Sequence, residues 1–225
     1  MKHPVDPAEL AAYYARRAPE YERIYDKPER QADLDRLRGL LVERLAGRDV
    51  LEIACGTGYW TEVASRSTRS IVATDANEEV LAIARTKPCG CPVRFTEADA
   101  YAPSGVGGPF TAGLAGFWWS HVPRTRLGAF LDGFHAALDD KATVVLFDNR
   151  YVEGSSTPIA RTSTDGDTFQ LRSLDDGSTH EVLKNFPEAD ELRAVLTPHA
   201  ADVEVVELEY FWLARYAPTG RSTSR

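Results

Sequence analysis

The chain is short of cysteine, of long apolar runs and of positive charge, and each shortage excludes a class of protein. Its three cysteines are Cys55, Cys89 and Cys91, an odd number that does not suggest the disulfide framework of a small secreted domain. No stretch approaches the roughly 18 apolar residues that a membrane-spanning helix needs. Lysine and arginine total 26 against 34 acidic residues, giving a net charge of −8. This balance argues against a protein that binds the phosphate backbone of nucleic acids.

Two further absences bear on location and on metal binding. The segment that follows Pro4 is polar and contains no apolar signal-peptide core, so we expect a cytoplasmic protein with no membrane partner. Cys89 and Cys91 are separated by one glycine, without the usual two-residue spacer and without a second pair of ligands. We therefore expect free thiols in a loop and no metal site.

From residue 48 onward the sequence alternates apolar, strand-like runs with amphipathic helices. The predicted strands cover residues 50–54, 71–75, 93–96, 110–117, 143–147, 203–208 and 210–216. The predicted helices cover residues 28–46, 77–85, 124–138 and 187–196, with one more starting near Tyr59. This alternation predicts an α/β fold, a doubly wound and mostly parallel seven-stranded sheet with helices on both faces.

An N-terminal arm precedes the alternating region. A helix predicted over residues 7–18 carries Tyr13 and Tyr14, and Tyr21 and Tyr25 follow in a less regular stretch. Tyrosine supplies both a stacking face and a hydroxyl group, so the arm is interpreted as a helical lid over a ligand site. Packing of the same tyrosines on the body of the protein is the alternative.

An insertion follows the fifth predicted strand. Residues 151–165 are rich in Ser, Thr, Gly and Pro and are interpreted as a loop, whereas residues 168–174 and 179–183 flank a turn sequence and predict a β-hairpin. The hairpin could cover an acceptor or form a homodimer contact. We expect one domain of four parts: an arm (1–46), a core (47–150), a substrate-side insertion (151–186) and a C-terminal part of the core (187–217).

Polar and small residues follow the ends of the first five predicted strands. In an open α/β sheet a ligand binds outside the carboxyl ends of the strands. The residues that meet there are Glu52, Ala54, Gly56 and Gly58 from the first strand, Asp75 from the second, Asp99 from the third, Trp118 to His121 from the fourth, and Asp148 and Asn149 from the fifth.

The order Glu-x-Ala-x-Gly-x-Gly after the first strand resembles the first motif of class I S-adenosylmethionine (SAM) methyltransferases, with Ala54 at the first glycine. The resemblance extends over about residues 50–147 and takes in Asp75, Asp99 and the fourth-strand exit from Phe117. It implies SAM as the cofactor and S-adenosylhomocysteine (SAH) as its product. A dinucleotide fingerprint is the competing interpretation. Its first glycine is absent here, and Tyr59 stands where its third would be.

The resemblance also implies roles for individual residues. The turn containing Gly56 and Gly58 approaches the methionine part of SAM, Asp75 accepts the ribose hydroxyls, and Asp99 with Ala100 reads the adenine. Phe117 and Trp118, at the fourth-strand exit, lie under the sulfonium end. The predicted cofactor set is Glu52, Ala54, Gly56, Gly58, Asp75, Ala76, Asp99, Ala100, Phe117, Tyr14 and Tyr25.

Residues on the acceptor side are predicted from the same edge and from the arm. His121 is a candidate base, with an ordinary pKa suited to neutral pH, or a residue that only orients the acceptor. The predicted acceptor set is Tyr13, Tyr21, Trp118, Trp119, His121, Asp148, Asn149 and Phe186. Its aromatic members favour a small, planar aromatic or heteroaromatic molecule, methylated on O or N. The rival hypotheses are a catalytically silent SAM sensor or partner subunit, and a nicotinamide oxidoreductase.

Overall fold

A computed structural model describes residues 18–103 and 105–219, with side chains described from Glu22 onward. The helix predicted over residues 7–18, with Tyr13 and Tyr14, lies outside the described residues except for its last residue, and the side chain of Tyr21 lies outside them as well. Within the described part of the chain, no helix is long and apolar enough to cross a bilayer.

A seven-stranded sheet forms the centre of the protein. Its strands are β1 (Asp49–Glu52), β2 (Ser70–Asp75), β3 (Val93–Glu97), β4 (Phe110–Gly116), β5 (Leu138–Asn149), β9 (Ala200–Glu207) and β10 (Phe211–Pro218). They lie in the order β3-β2-β1-β4-β5-β10-β9. Only β10 runs against its neighbours, since it pairs antiparallel with both β5 and β9. The predicted mostly parallel sheet is confirmed.

Helices cover both faces of the sheet, as predicted. They are α1 (Gln31–Arg44), α2 (Tyr59–Ser65), α3 (Glu78–Ala84), α4 (Leu127–His135) and α5 (Ala189–Leu196). Shorter 3-10 turns cover Ala18–Tyr25, Pro28–Arg30, Trp119–His121 and Arg124–Arg126. Buried side chains of α1, α2 and α3 share one apolar cluster, and those of α4 and α5 share the other.

Alternation along the strands separates these two clusters. Val50 joins the cluster under α1 and α2, whereas its neighbour Leu51 joins the cluster under α4 and α5. On β10, Phe211 and Trp212 divide in the same way. Because successive side chains of a strand point to opposite faces, continuous apolar runs such as Val50-Leu51 fit strands that are buried on both sides.

The insertion after β5 is a second, three-stranded antiparallel sheet. It contains β6 (Ile159–Thr162), β7 (Thr168–Ser173) and β8 (Thr179–Leu183) in that order. The predicted hairpin is present as β7 and β8, which pair from Phe169↔Leu183 to Ser173↔Thr179. Gly177 lies in the turn between them with φ at +80°.

Two local predictions were wrong. Residues 159–162 were predicted as loop but form the edge strand β6. No residue of β6 is fully buried. The segment therefore lacks the alternation of apolar and polar residues from which a strand can be predicted. The helix predicted to end at residue 138 ends at His135, and Leu138 instead begins β5, paired with Phe110.

Candidate functional site

A glycine-rich loop joins β1 to α2 and has a left-handed backbone at three positions. The φ angles are +52° at Ala54, +55° at Gly56 and +80° at Gly58. Glycine adopts this region freely, whereas a residue with a Cβ does so at a cost of roughly 1–2 kcal/mol. The conformation explains why small residues are needed here, and it identifies Ala54 as a strained member of the loop.

The two glycines of this loop serve different purposes. A Cβ at Gly58 would lie 2.9 Å from the Cβ of Ala84, so its absence allows α2 to start against the end of α3. A Cβ at Gly56 would meet nothing within 4 Å. The backbone at Gly56 therefore faces open space, which a ligand can approach closely.

Asp75, at the end of β2, is held directly against the glycine-rich loop. Its Oδ2 accepts a hydrogen bond from the Gly56 amide at 2.9 Å, and its Oδ1 accepts one from the Asn77 amide at 3.0 Å. Burial raises the pKa of the carboxyl, although the backbone hydrogen bonds oppose the shift. Each carboxylate oxygen can accept a second hydrogen bond, so a ribose can still bind there. The exposed Ala76 lies between Asp75 and Asn77.

Glu52 lies beneath the loop rather than on its ligand side, which differs from the predicted cofactor contact. Its side chain is buried, and its Oε2 accepts a hydrogen bond from the Thr61 hydroxyl of α2 at 2.6 Å. Burial raises the pKa of Glu52 to about 8. The carboxyl therefore ties β1 to α2 in a mainly protonated form. Burial also raises the pKa of the Cys55 thiol well above its usual value, so Cys55 is a packing residue and not a nucleophile.

Asp99 and Ala100 follow β3 and form a tight turn. The Asp99 Oδ1 accepts a hydrogen bond from the Tyr101 amide at 2.9 Å, and Asp99 is exposed whereas Ala100 is buried. Its Oδ2 has no hydrogen-bond partner within the described part of the chain. An exposed acceptor at this edge suits the exocyclic amino group of an adenine.

Phe117 holds an unusual backbone conformation at the exit of β4. Its φ is +58°, although it is a bulky, buried aromatic residue. An aromatic collar surrounds its ring, formed by Tyr25, Trp60, Phe147 and Phe211 with ring centroids 5.3–5.9 Å away. Strained backbone of this kind costs about 1–3 kcal/mol and clusters at functional sites.

The two tryptophans that follow Phe117 occupy different environments. Trp119 is buried in the core and meets Trp212 edge to face at 6.0 Å. Trp118 is half-buried and contacts Tyr101 and Phe130, next to the Asp99 turn. Trp118 therefore lies near the open edge, whereas Trp119, also in the predicted acceptor set, packs inward; adjacent residues that leave a strand point in opposite directions.

A buried ion pair joins the β5 exit to the insertion. The Lys184 ammonium donates to Asp148 Oδ1 at 2.8 Å and to the Ser120 hydroxyl at 2.6 Å, and the Ser120 amide donates to Asp148 Oδ2. Asp148 is fully buried and Lys184 is 4% exposed. Burial alone would raise the pKa of Asp148, but Lys184 and His121 bring it below its ordinary value. Asp148 is therefore an anchor for the insertion.

Lys184 was missed by the sequence interpretation. The only signal was a lysine placed directly after the apolar pair Val182-Leu183 at a strand end. Asn149 follows Asp148 and donates to it through its amide and side-chain nitrogens, at 2.7 and 3.1 Å. Phe186 packs edge to face against the exposed Tyr151, with ring centroids 5.4 Å apart.

His121 is buried and held by the insertion. Its Nδ1 lies 2.7 Å from the carbonyl oxygen of Leu183, which can only accept, so Nδ1 carries the proton and Nε2 the lone pair. Burial, and secondly the charge of Lys184, lower the pKa of His121 well below its usual value. The ring is therefore neutral near pH 7 and is a weak proton acceptor.

Tyr25 connects the N-terminal arm to the aromatic residues of α2. It is buried, it stacks on Tyr59 with centroids 4.1 Å apart, and its hydroxyl accepts a hydrogen bond from Trp60 Nε1 at 3.0 Å. The ring centroid of Phe117 lies 5.9 Å from that of Tyr25. The arm thus covers the start of α2, directly beside the glycine-rich loop.

These residues fit a SAM molecule. The open backbone at Gly56, the acceptor carboxylate of Asp75 and the exposed oxygen of Asp99 follow one another along the sheet edge, in the order methionine, ribose, adenine that the sequence resemblance implies. The aromatic rings beside Phe117 suit a cationic sulfonium. Bound SAM supplies an activated methyl group.

Comparison with known proteins supports the same cofactor. The methyltransferase domain family matches residues 50–141. The structure of DhpI with SAH is 28% identical over 95% of this chain and 97% of that one, with a TM-score of 0.75. The DhpI complex with SAM and HEP is 26% identical over 97% of this chain and all of the other, with a TM-score of 0.78.

A more distant structure shares the fold. The magnesium protoporphyrin IX methyltransferase ChlM from Synechocystis PCC 6803 is 15% identical over 95% of this chain and all of that one, with a TM-score of 0.64. No curated protein sequence matched. The fold, the loop geometry and these similarities support a class I SAM-dependent methyltransferase, with SAM as its cofactor.

Proposed function

We propose that the protein transfers the methyl group of SAM to an oxygen or nitrogen atom of a small, planar aromatic or heteroaromatic metabolite. The observation that carries this proposal is the aromatic collar around Phe117 at the β4 exit, beside the glycine-rich loop. A collar of this kind forms an apolar wall beside the loop, which excludes water and favours a sulfonium. The positive φ of Phe117 supports a functional role for this exit, because strained backbone is held in place by the surrounding structure and clusters at functional sites.

The chemistry demanded of the protein is modest. In an in-line displacement the acceptor lone pair forms a bond to the methyl carbon while the carbon–sulfur bond breaks, and any proton of the acceptor leaves to water. The chain must hold the acceptor in line and keep the site dry, so orientation supplies most of the effect. We propose that Asn149, Trp118 and the arm hold the acceptor in line with the methyl group.

We propose that His121 is a positioning residue rather than a base. Its Nδ1–H group holds the Leu183 carbonyl at 2.7 Å, and Leu183 immediately precedes Lys184. The ring therefore fixes the end of β8 on the β4 exit. Its lowered pKa makes it a poor acceptor for a proton.

A small acceptor also agrees with the charge of the chain and with the similar structures. The net charge of −8 disfavours nucleic acid as a partner. DhpI is described in a complex with HEP together with SAM, which supports a site for a second ligand beside the cofactor here. We further propose a cytoplasmic location and one domain with the four parts given above. A homodimer through the β7–β8 hairpin, where Leu171 is 54% exposed, is compatible with these assignments.

The test is release of SAH from SAM in the presence of a panel of phenols, heteroaromatic amines and aliphatic controls. The proposal predicts turnover with planar O or N acceptors, and little with aliphatic ones. Turnover with aliphatic acceptors alone would contradict the acceptor class. Tight SAH binding with no turnover across the panel would favour the silent sensor.

A further inference from the structure

The segment from Glu22 to Arg30, here called the strap, contacts both sides of the site. One end rests on the glycine-rich loop that binds the cofactor, and the other end holds the loop that follows β5. The chain between them is short and carries two 3-10 turns, Ala18–Tyr25 and Pro28–Arg30. No other described segment bonds to both loops through side chains.

At the cofactor end, Glu22 is the contact. Its Oε1 accepts a hydrogen bond from the Thr57 hydroxyl at 2.8 Å, and its Oε2 accepts one from the Lys87 ammonium at 2.8 Å. Thr57 lies between the two glycines of the loop and is 2% exposed. Glu22 therefore ties the strap directly to the loop on which the cofactor sits.

At the other end, Ser155 receives most of the contacts. Its carbonyl oxygen accepts from Lys27 Nζ at 2.6 Å and from Arg30 Nη2 at 3.2 Å, and its hydroxyl oxygen accepts from Arg30 Nε and Nη2 at 3.1 and 2.9 Å. The same hydroxyl donates to Glu29 at 2.9 Å. The loop of residues 151–156 is thus fastened to the strap through one serine.

Arg30 extends this junction to the sheet edge. It is 8% exposed, and its Nη1 donates to Asn149 Oδ1 at 3.3 Å. Asn149 in turn bonds to Asp148, which anchors Lys184. Arg30 therefore contacts Asn149, which the proposed function assigns to holding the acceptor.

Hydrogen bonds and ring packing brace the strap between its two ends. The Gln31 side-chain amide donates to the carbonyl oxygens of both Tyr25 and Lys27, at 2.7 and 2.9 Å. Tyr25 is buried between Tyr59 and Phe117. Opening at Glu22 would therefore disturb the Lys27 and Arg30 contacts, and release of Ser155 would loosen Glu22.

We propose that the strap couples the two halves of the site, so that SAM binding closes residues 151–156 and positions Asn149 before the acceptor binds. Arg30 and Ser155 are positioning residues in this scheme. Coupling of two sites is reciprocal, so weakening the Ser155 junction also weakens cofactor binding, although Ser155 has no contact with the glycine-rich loop. The inference rests on the cofactor site and not on the identity of the acceptor.

The test uses the full chain, with SAH as the probe and hydrogen exchange as the readout. The amides of Ser155 and Ser156 donate to the Val152 carbonyl, so their exchange reports opening of this loop. SAH should slow exchange in residues 151–156 of the wild type. In Ser155→Ala it should still slow exchange in the glycine-rich loop but not in residues 151–156, and its Kd should rise roughly five-fold or more.

Ser173→Ala is the matched control, because this exposed serine on β7 bonds only to Thr179. It should behave as the wild type in both measurements. Unchanged SAH affinity or retained loop protection in Ser155→Ala would overturn the coupling and leave methyl transfer untouched. Failure of the wild type to bind SAH would remove the cofactor assignment and the coupling together.

Discussion

Ala54 carries a measurable strain in the cofactor loop, because its φ is +52°. The left-handed conformation costs an alanine roughly 1–2 kcal/mol, and a glycine avoids this cost. Glycine also loses more conformational entropy on folding, which cancels about half of the gain. We expect Ala54→Gly to raise the free energy of unfolding by about 0.5–1 kcal/mol, measured by urea denaturation. Ala82→Gly, the same change at an exposed position of helix α3, should lower it by about 1 kcal/mol. If both substitutions lowered the free energy of unfolding, Ala54 would not be strained.

Glu52 makes the stability of the protein depend on pH. Its pKa is about 8 in the folded chain against an ordinary 4.5, so the folded state keeps a proton that the unfolded state releases between these values. The resulting stabilisation is complete below pH 4.5 and is lost as pH rises towards 8, at up to about 1.4 kcal/mol per pH unit.

Replacement of Glu52 by glutamine should remove this contribution. The difference in unfolding free energy, wild type minus Glu52→Gln, is expected to fall as pH rises from 5 to 8. Glu79→Gln, the same change at an exposed position of α3, is the matched control. A flat profile for Glu52→Gln would mean that the buried carboxyl is ionised throughout.

His121 is expected to matter for position more than for proton transfer. Loss of a general base costs about 10²- to 10⁴-fold in rate, whereas loss of one orienting hydrogen bond costs much less. With an acceptor from the panel, His121→Asn should lower kcat less than about ten-fold and leave the shape of the kcat–pH profile unchanged. A larger loss, accompanied by disappearance of the acidic limb, would establish His121 as a base.

At the scale of elements, the Asp148–Lys184 pair joins strand β5 of the large sheet to the residue that directly follows β8 of the small sheet. Removal of one member leaves the other charge buried, which costs about 3–5 kcal/mol. Lys184→Met and Asp148→Asn should each lower the free energy of unfolding by about 3–5 kcal/mol. The double variant should lose clearly less stability than the sum of the two single losses. A double-mutant cycle of urea denaturation measures this difference. Additive losses would mean that the two charges do not interact.

Elements with a strong period were predictable, and those without one were not. The parallel strands and the β7–β8 hairpin follow from apolar runs and a turn sequence. The edge strand β6 has no buried face, and its pairing with β7 comes from backbone contacts that no side-chain pattern reveals. The Lys184 anchor was equally hidden, because its partner Asp148 is 36 residues away in sequence and belongs to another sheet.

At the scale of the whole molecule, the strand order brings the chemistry to one edge. The loop after β1, Asp75 and Asp99 could be predicted because parallel strands end on the same side. The contributions of the strap could not, since Glu22 and Arg30 reach the site only through tertiary contacts with Thr57 and Ser155. Neither residue stands in a motif.

Calorimetric titration with SAH and NAD, side by side, tests the central claim that this edge is a SAM site. The wild type should bind SAH and not NAD. Asp75→Ala should weaken SAH binding by about 1 kcal/mol or more, the worth of its lost hydrogen bonds, whereas Asp190→Ala, at an exposed position of α5, should not. Binding of NAD without SAH, or SAH affinity that is indifferent to Asp75, would contradict the account.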